Sequence, residues 1–194
     1  MLSFVPGAHV ADVHLNRMAA LLFETSYLQY CSIANKLRLP FQQLQRRQNI
    51  DPYLGQVRAM FDREDNFTGF YSAATLADFA QVAAPSHYRD EMKAMDDAYD
   101  AFLARHALPS DYLVSSLAIE ARYRGTGLFK AMLGEIEYQA RERGCRRIVL
   151  TVWEQSDALP IYRSKGFHSC ATFEYAWELF FDRLHFMAYD LEDA

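Results

Sequence analysis

Apolar positions change their period several times along the chain, and each change marks an element. Val10, Val13, Leu21 and Leu22 recur at helical spacing, so residues 9–25 read as a first helix behind a short opening strand. Residues 26–48 continue the helical pattern until Pro40 breaks it. Gln56–Asp62 and Phe67–Phe79 read as two strands joined by the polar turn Arg63-Glu64-Asp65-Asn66. From Ser86 to His106, Tyr88, Met92, Met95, Tyr99 and Phe102 return every three or four residues, which makes one stripe of core side chains on a further helix.

The second half alternates more cleanly. Tyr112–Ile119 is a strand, and Gly127–Arg143 is a helix with Leu128, Met132, Ile136 and Ala140 on one face. Arg147–Trp153 is a strand rich in β-branched residues, Asp157–Ser164 a short helix, and Phe167–Tyr175 and His185–Leu191 supply two closing strands. A strand, a helix and a strand in this order imply a right-handed parallel crossover, so the fold class is mixed α/β.

A length of 194 residues points to one domain, and 51% apolar with 23% charged residues excludes a disordered chain. The net charge of −5 argues against a general nucleic-acid binder. Cys31, Cys145 and Cys170 are odd in number and lack metal-ligand spacing, so no disulfide framework or zinc site is expected; three reduced, buried thiols fit a cytoplasmic protein. No stretch is apolar for long enough to span a membrane, and no membrane association is expected.

The strongest chemical signal is the run R-Y-R-G-T-G, Arg122 to Gly127, between a strand and an amphipathic helix. Two of the chain's eight glycines stand here, one residue apart. Glycine admits positive φ and lets a ligand approach the backbone, and the free N–H groups of a helix start attract an anion. The amides from Gly125 to Phe129 are therefore candidates for cradling a phosphate or diphosphate. Lys130 stands where a dinucleotide-binding loop would place its third glycine, and the chain lacks the spacing of a P-loop.

The stretch Leu117–Phe129, L-A-I-E-A-R-Y-R-G-T-G-L-F, resembles the acyl-CoA-binding motif Q/R-x-x-G-x-G/A of the GNAT superfamily of N-acetyltransferases, with Arg122, Gly125 and Gly127 in the specified places. Downstream, A-L-P-I-Y-R-S-K-G-F, Ala158–Phe167, resembles the family's A-x-x-L-Y-x-x-x-G-F with Ile161 for leucine. The pair occurs in the family's order. The resemblance implies a mixed, mostly antiparallel sheet with a splayed parallel strand pair and helices on both faces. It implies one acyl-CoA N-acyltransferase domain over residues 1–194, with the helix at about 86–106 as an insertion covering one side of the cleft.

It also implies site residues. Leu117, Ala118 and Ile119 would pair with pantetheine, and Arg122, Arg124, Gly125, Thr126, Gly127, Leu128 and Phe129 would hold the diphosphate of acetyl-CoA, with no metal. Tyr162 would stand near the sulfur as general acid, since a phenol near pKa ~10 can protonate a thiolate of similar basicity. Gln155 replaces the asparagine that often contacts the cofactor. A carboxylate could accept the amine's proton, Glu154 being preferred over Glu120, although transfer can also proceed with no dedicated base. Strand parity sets Glu120 on the side of Ala118, opposite Leu117 and Ile119.

The acceptor would be a primary amine, a small molecule rather than a protein, bound among the N-terminal helices and the late strand connection. Tyr27, Tyr30, Tyr175, Trp177 and Phe180 are candidates for an aromatic wall there, and Trp177–Phe181 for a homodimer contact. An acyl-CoA-binding sensor without turnover is the alternative, motivated by Gln155 and the unassigned base.

Overall fold

The computed structural model describes residues 2–26, 33–83, 93–175 and 182–191. Seven strands make one sheet: β1 (Ser3–Pro6), β2 (Val57–Phe61), β3 (Phe67–Ala74), β4 (Asp111–Ile119), β5 (Arg147–Trp153), β6 (His168–Phe173) and β7 (Leu184–Asp190), in the spatial order β1-β2-β3-β4-β5-β7-β6. Every neighbouring pair is antiparallel except β4 and β5. The helices are α1 (Asp12–Thr25), α2 (Phe41–Leu44), α3 (Leu76–Ala80), α4 (Lys93–His106), α5 (Leu128–Glu142) and α6 (Ala158–Ser164). A helical stretch also covers residues 33–37.

The expected strand over Phe67–Phe79 stops early, because Thr75 starts α3. Its hydroxyl accepts the Asp78 amide and the Asp78 carboxylate accepts the Thr75 amide, a reciprocal cap that competes with continued pairing. Residues 27–32, 84–92 and 176–181 lie outside the described residues, and with them Tyr27, Tyr30, Cys31, Trp177, Phe180 and the start of the helix expected from Ser86. Of the other two cysteines, Cys145 is buried as expected but Cys170 is exposed on β6, the last strand of the sheet. No helix among the described residues is long and apolar enough to cross a membrane.

Both faces of the sheet are covered. On one face Met132, Leu133 and Ile136 of α5 and Leu159 of α6 pack on Tyr71, Tyr112, Val114, Ile148 and Leu150. On the other, α1 packs over Ala59, Phe70 and Ala118, and α4 packs Phe102 and Leu103 over Leu113, Val149 and Phe186. The run Ile148–Val152 is nearly all apolar because β5 is central and touched from both sides. In β4 the buried register changes midway: Tyr112 and Val114 face α5, and so do Leu117 and Ile119. The ladder with β3 slips at the same place, pairing Ser72 with Ser116 but Ala73 with Val114. Ser115 is the extra residue of a bulge that bends the strand.

Candidate active site

The parallel ladder holds β4 to β5 from Asp111↔Arg147 only as far as Val114↔Leu150. Both strands continue past that point with their outer neighbours, β4 to Ile119 beside β3 and β5 to Trp153 beside β7, but no longer with each other. The sheet therefore opens into a V. Its closed end is stapled by Asp111, fully buried, whose carboxylate oxygens take Nε and Nη2 of Arg147 at 2.9 and 2.7 Å. Beyond the bulge, the backbone of Ser115–Ile119 that faces β5 has no strand to pair with, so it is an edge for an extended, amide-containing ligand.

A cavity of about 1390 Å³ fills the V and reaches both faces of the sheet. At one end lie Tyr123, Arg124, Gly125, Gly127 and Phe129; in the middle lie Ser115–Ile119 and Leu150–Trp153; Tyr162 of α6 lines the α5 face. At the other end the wall is made by Leu22, Ile50 and Tyr53 on one side and Asp96, Tyr99, Asp100 and Leu103 of α4 on the other. Ser72, 4% exposed, also lines it, and its hydroxyl has no hydrogen-bond partner among the described residues.

The glycine turn has the backbone that its sequence requires. Gly125 and Gly127 sit at φ +77° and +87°, and a Cβ at either would meet no atom within 4 Å. The cost of another residue there is conformational, not steric. Gly127 is the N-cap of α5 and offers no side-chain cap. Among the described residues the amides of Gly125, Gly127, Leu128 and Phe129 have no acceptor, whereas Thr126 N–H turns back to the Tyr123 carbonyl at 3.4 Å. Four of the five expected donors are thus unengaged, at the positive end of a 15-residue helix.

The turn is braced on three sides. Glu120 donates its amide to the Thr68 carbonyl at 2.9 Å, and its carboxylate grips Arg17 of α1, with Nη2 at 2.7 Å. The guanidinium holds the Glu120 carboxyl below its ordinary range. Tyr123 donates its hydroxyl to Asp62 in the β2–β3 turn at 3.2 Å, and Arg124 Nε donates to the Ile119 carbonyl at 3.1 Å. Arg122 lies over the Tyr123 ring, 4.7 Å from its centroid, and neither Arg122 nor Leu128 lines the cavity.

Tyr162 packs against Phe129 and Phe167, with centroids 5.8 and 5.5 Å apart. Burial among apolar groups pushes its phenol up to about 12, so it carries its proton throughout the neutral range. Pro160 sits in the first turn of α6, where its missing N–H costs nothing.

The two glutamates singled out by sequence are both committed to arginines. Glu154 receives Nε and Nη2 of Arg183 at 3.0 Å each, which lowers its carboxyl, and His185 Nε2 lies 3.7 Å away. Neither Glu154 nor Gln155 lines the cavity, and the Gln155 backbone N–H donates to the Asp182 carboxylate at 2.9 Å. Sequence parity did place Glu120 correctly: it faces α1, as Ala118 does. Asp96, Tyr99 and Asp100 carry no mark in the sequence, because a helical apolar stripe does not show which of its residues border a cavity, and Trp153 reads as one more strand residue.

Residues 67–176, from β3 to just past β6, match the family model for the acetyltransferase (GNAT) domain, which is more than half of the chain. The chain belongs to the GNAT family. Its chemistry is therefore acyl transfer from acyl-CoA, and the seven-stranded mixed sheet with one parallel pair is the GNAT fold. No curated protein matches the sequence. Among solved structures, the C-terminal condensation domain of Ebony in complex with β-alanyl-dopamine superposes with a TM-score of 0.71 at 12% identity, over 98% of this chain and 99% of that one. The ribosomal-protein-S18-alanine N-acetyltransferase from Escherichia coli gives 0.58 at 13% identity, over 100% and 96%. The IAA acetyltransferase from Bacillus cereus ATCC 14579 gives 0.55 at 11%, over 98% and 99%. At such identities the likeness establishes the fold alone. Among the described residues no cluster of side chains suits a metal ion.

Proposed function

We propose that this GNAT protein is an acetyl-CoA-dependent N-acetyltransferase that acetylates a primary amine by direct attack on the thioester. The observation that carries the reading is the V itself, an unpaired strand edge that begins at the unengaged amides of the glycine turn, in a cavity that Tyr162 also lines. The free edge of Leu117, Ala118 and Ile119 binds the pantetheine amides. Gly125, Gly127, Leu128 and Phe129 offer their N–H groups to the diphosphate, with Arg124 alongside and Arg122 and Thr126 shaping the turn. The cosubstrate supplies an activated acetyl group; the protein orients it and handles protons.

Tyr162 gives its proton to the departing thiolate and regains one from the nitrogen as the amide forms; burial keeps the phenol protonated at neutral pH while making it a weaker acid. We assign no protein base. Glu120 and Glu154 spend their oxygens on Arg17 and Arg183, so the ammonium loses its proton to cavity water before attack. Holding an amine of pKa near ~10 in its neutral form at pH 7 costs about 4 kcal/mol, which a rate of ordinary size can bear. We also propose that residues 1–194 act as one domain, with the helix containing α4 inserted between β3 and β4 to wall the acceptor side. A cytoplasmic setting fits the reduced cysteines.

The commitment of both glutamates favours a second reading, an acyl-CoA sensor with no turnover. Tyr162→Phe separates the two. In an enzyme, thiol release from acetyl-CoA falls by about 10²-fold or more while the CoA-induced rise in melting temperature is kept. If the wild-type chain binds CoA but releases no thiol with any amine, the sensor reading replaces the enzyme.

A further inference from the structure

The charges along the cavity are segregated. Among the described residues the sole cationic side chain on its wall is Arg124, at the glycine turn. Among the described residues the wall on the α1 and α4 face carries Glu24, Asp96 and Asp100 and no Lys, Arg or His; Glu24 is bound to Arg17 at 2.7 Å, and the field of Lys93 reaches Asp96 and Asp100. Tyr99, Trp153 and Tyr175 line the same cavity. Tyr175 stacks on Tyr99 at 6.3 Å and 21°, and it lies 6.0 Å from Trp153. Tyr99 is fixed in turn by its hydroxyl, 2.8 Å from Thr151 Oγ1 on β5. The fields of Asp96 and Asp100 reach Tyr175 and, after burial and Tyr99, push its phenol up, so the acids and the rings share one compartment.

This arrangement selects by three separate terms. A carboxylated acceptor meets like charge from Asp96 and Asp100, and no cationic side chain among the described residues lines that wall. A long polyamine would have to desolvate its inner ammonium groups against Leu22, Ile50 and Leu103. A protonated amine carried on an aromatic ring gains on both counts, with its ring against tyrosine and tryptophan faces and its charge near the aspartates. Resting on the acetyltransferase reading above, we infer that the acceptor is an arylalkylamine without a carboxylate, held between the Tyr99–Tyr175–Trp153 cluster and the aspartates of α4.

The test compares 2-phenylethylamine with L-phenylalanine, which adds a carboxylate to the same skeleton, and with spermidine. Each is measured by thiol release from acetyl-CoA and, independently of turnover, by calorimetric binding to the CoA-loaded protein. The expected result is at least a tenfold preference for 2-phenylethylamine over both in kcat/KM and in Kd. Asp96→Asn combined with Asp100→Asn is expected to weaken 2-phenylethylamine about tenfold while leaving KM for acetyl-CoA unchanged. Equal or better binding of L-phenylalanine or spermidine overturns the inference, as does a double variant that binds 2-phenylethylamine normally. Absence of thiol release with every amine speaks against the enzyme reading, whereas the calorimetric ranking decides the acceptor class by itself.

Discussion

Gly69 offers a test in which the sign of the effect is diagnostic. It lies in β3 opposite Ile119, where the backbones of β3 and β4 approach so closely that a Cβ would stand 2.4 Å from the Ala118 carbonyl oxygen and 3.1 Å from Ile119 Cα. The Met132 methyl, at 3.3 Å, could swing aside; the backbone atoms cannot. In an open strand, Gly→Ala would stabilise the protein by roughly 0.5–1 kcal/mol by reducing the freedom of the unfolded chain. Here β4 must move by nearly 1 Å to restore an ordinary contact, and overpacking of that kind costs about 1–3 kcal/mol. The displaced segment is the one proposed to pair with pantetheine. Gly69→Ala should therefore lower the urea midpoint and the melting temperature, the latter by roughly 2–12 °C at about 2–4 °C per kcal/mol. KM for acetyl-CoA should rise several-fold in the same variant. A variant as stable as wild type or more so, with unchanged KM, would refute the close approach and the role of this edge together.

Asp111→Asn should cost about 3 kcal/mol or more, read as a loss of about 6–12 °C in melting temperature. It leaves the Arg147 guanidinium without its buried partner and loosens the closed end of the V. The pH profile of kcat/KM for an amine should climb about tenfold per unit from pH 6 to 9, following the neutral amine. It should show no falling limb below pH 10, since Tyr162 keeps its proton until about 12. A plateau beginning below pH 8 would instead require a base in the protein, and a loss above tenfold in Glu154→Gln would identify it.

Much of the candidate site's backbone geometry is legible in the sequence, and the reason is local physics. A glycine pair between a strand and an amphipathic helix forces positive φ and leaves amides bare, which depends on neighbours in sequence only. The order of strands and helices from Asp111 to Phe167 likewise follows from apolar period, and the crossover rule makes β4 and β5 parallel. What the sequence left open depends on residues far apart along the chain. One exception is local: Thr75 ends β3 through a cap with Asp78, three positions on, which the strand pattern conceals. Glu154 reads as a free carboxylate in the sequence, whereas Arg183, 29 positions on, donates to both of its oxygens. The V exists because one bulge at Ser115 and two outer neighbours pull β4 and β5 apart, and backbone pairing of that kind leaves no mark in periodicity. The apolar stripe of α4 reads as core from end to end, yet Tyr99 borders the cavity while Met95 and Phe102 on either side of it are buried, Phe102 against β5 and β7. Only the packing of distant elements decides which apolar side chains fill space and which enclose it.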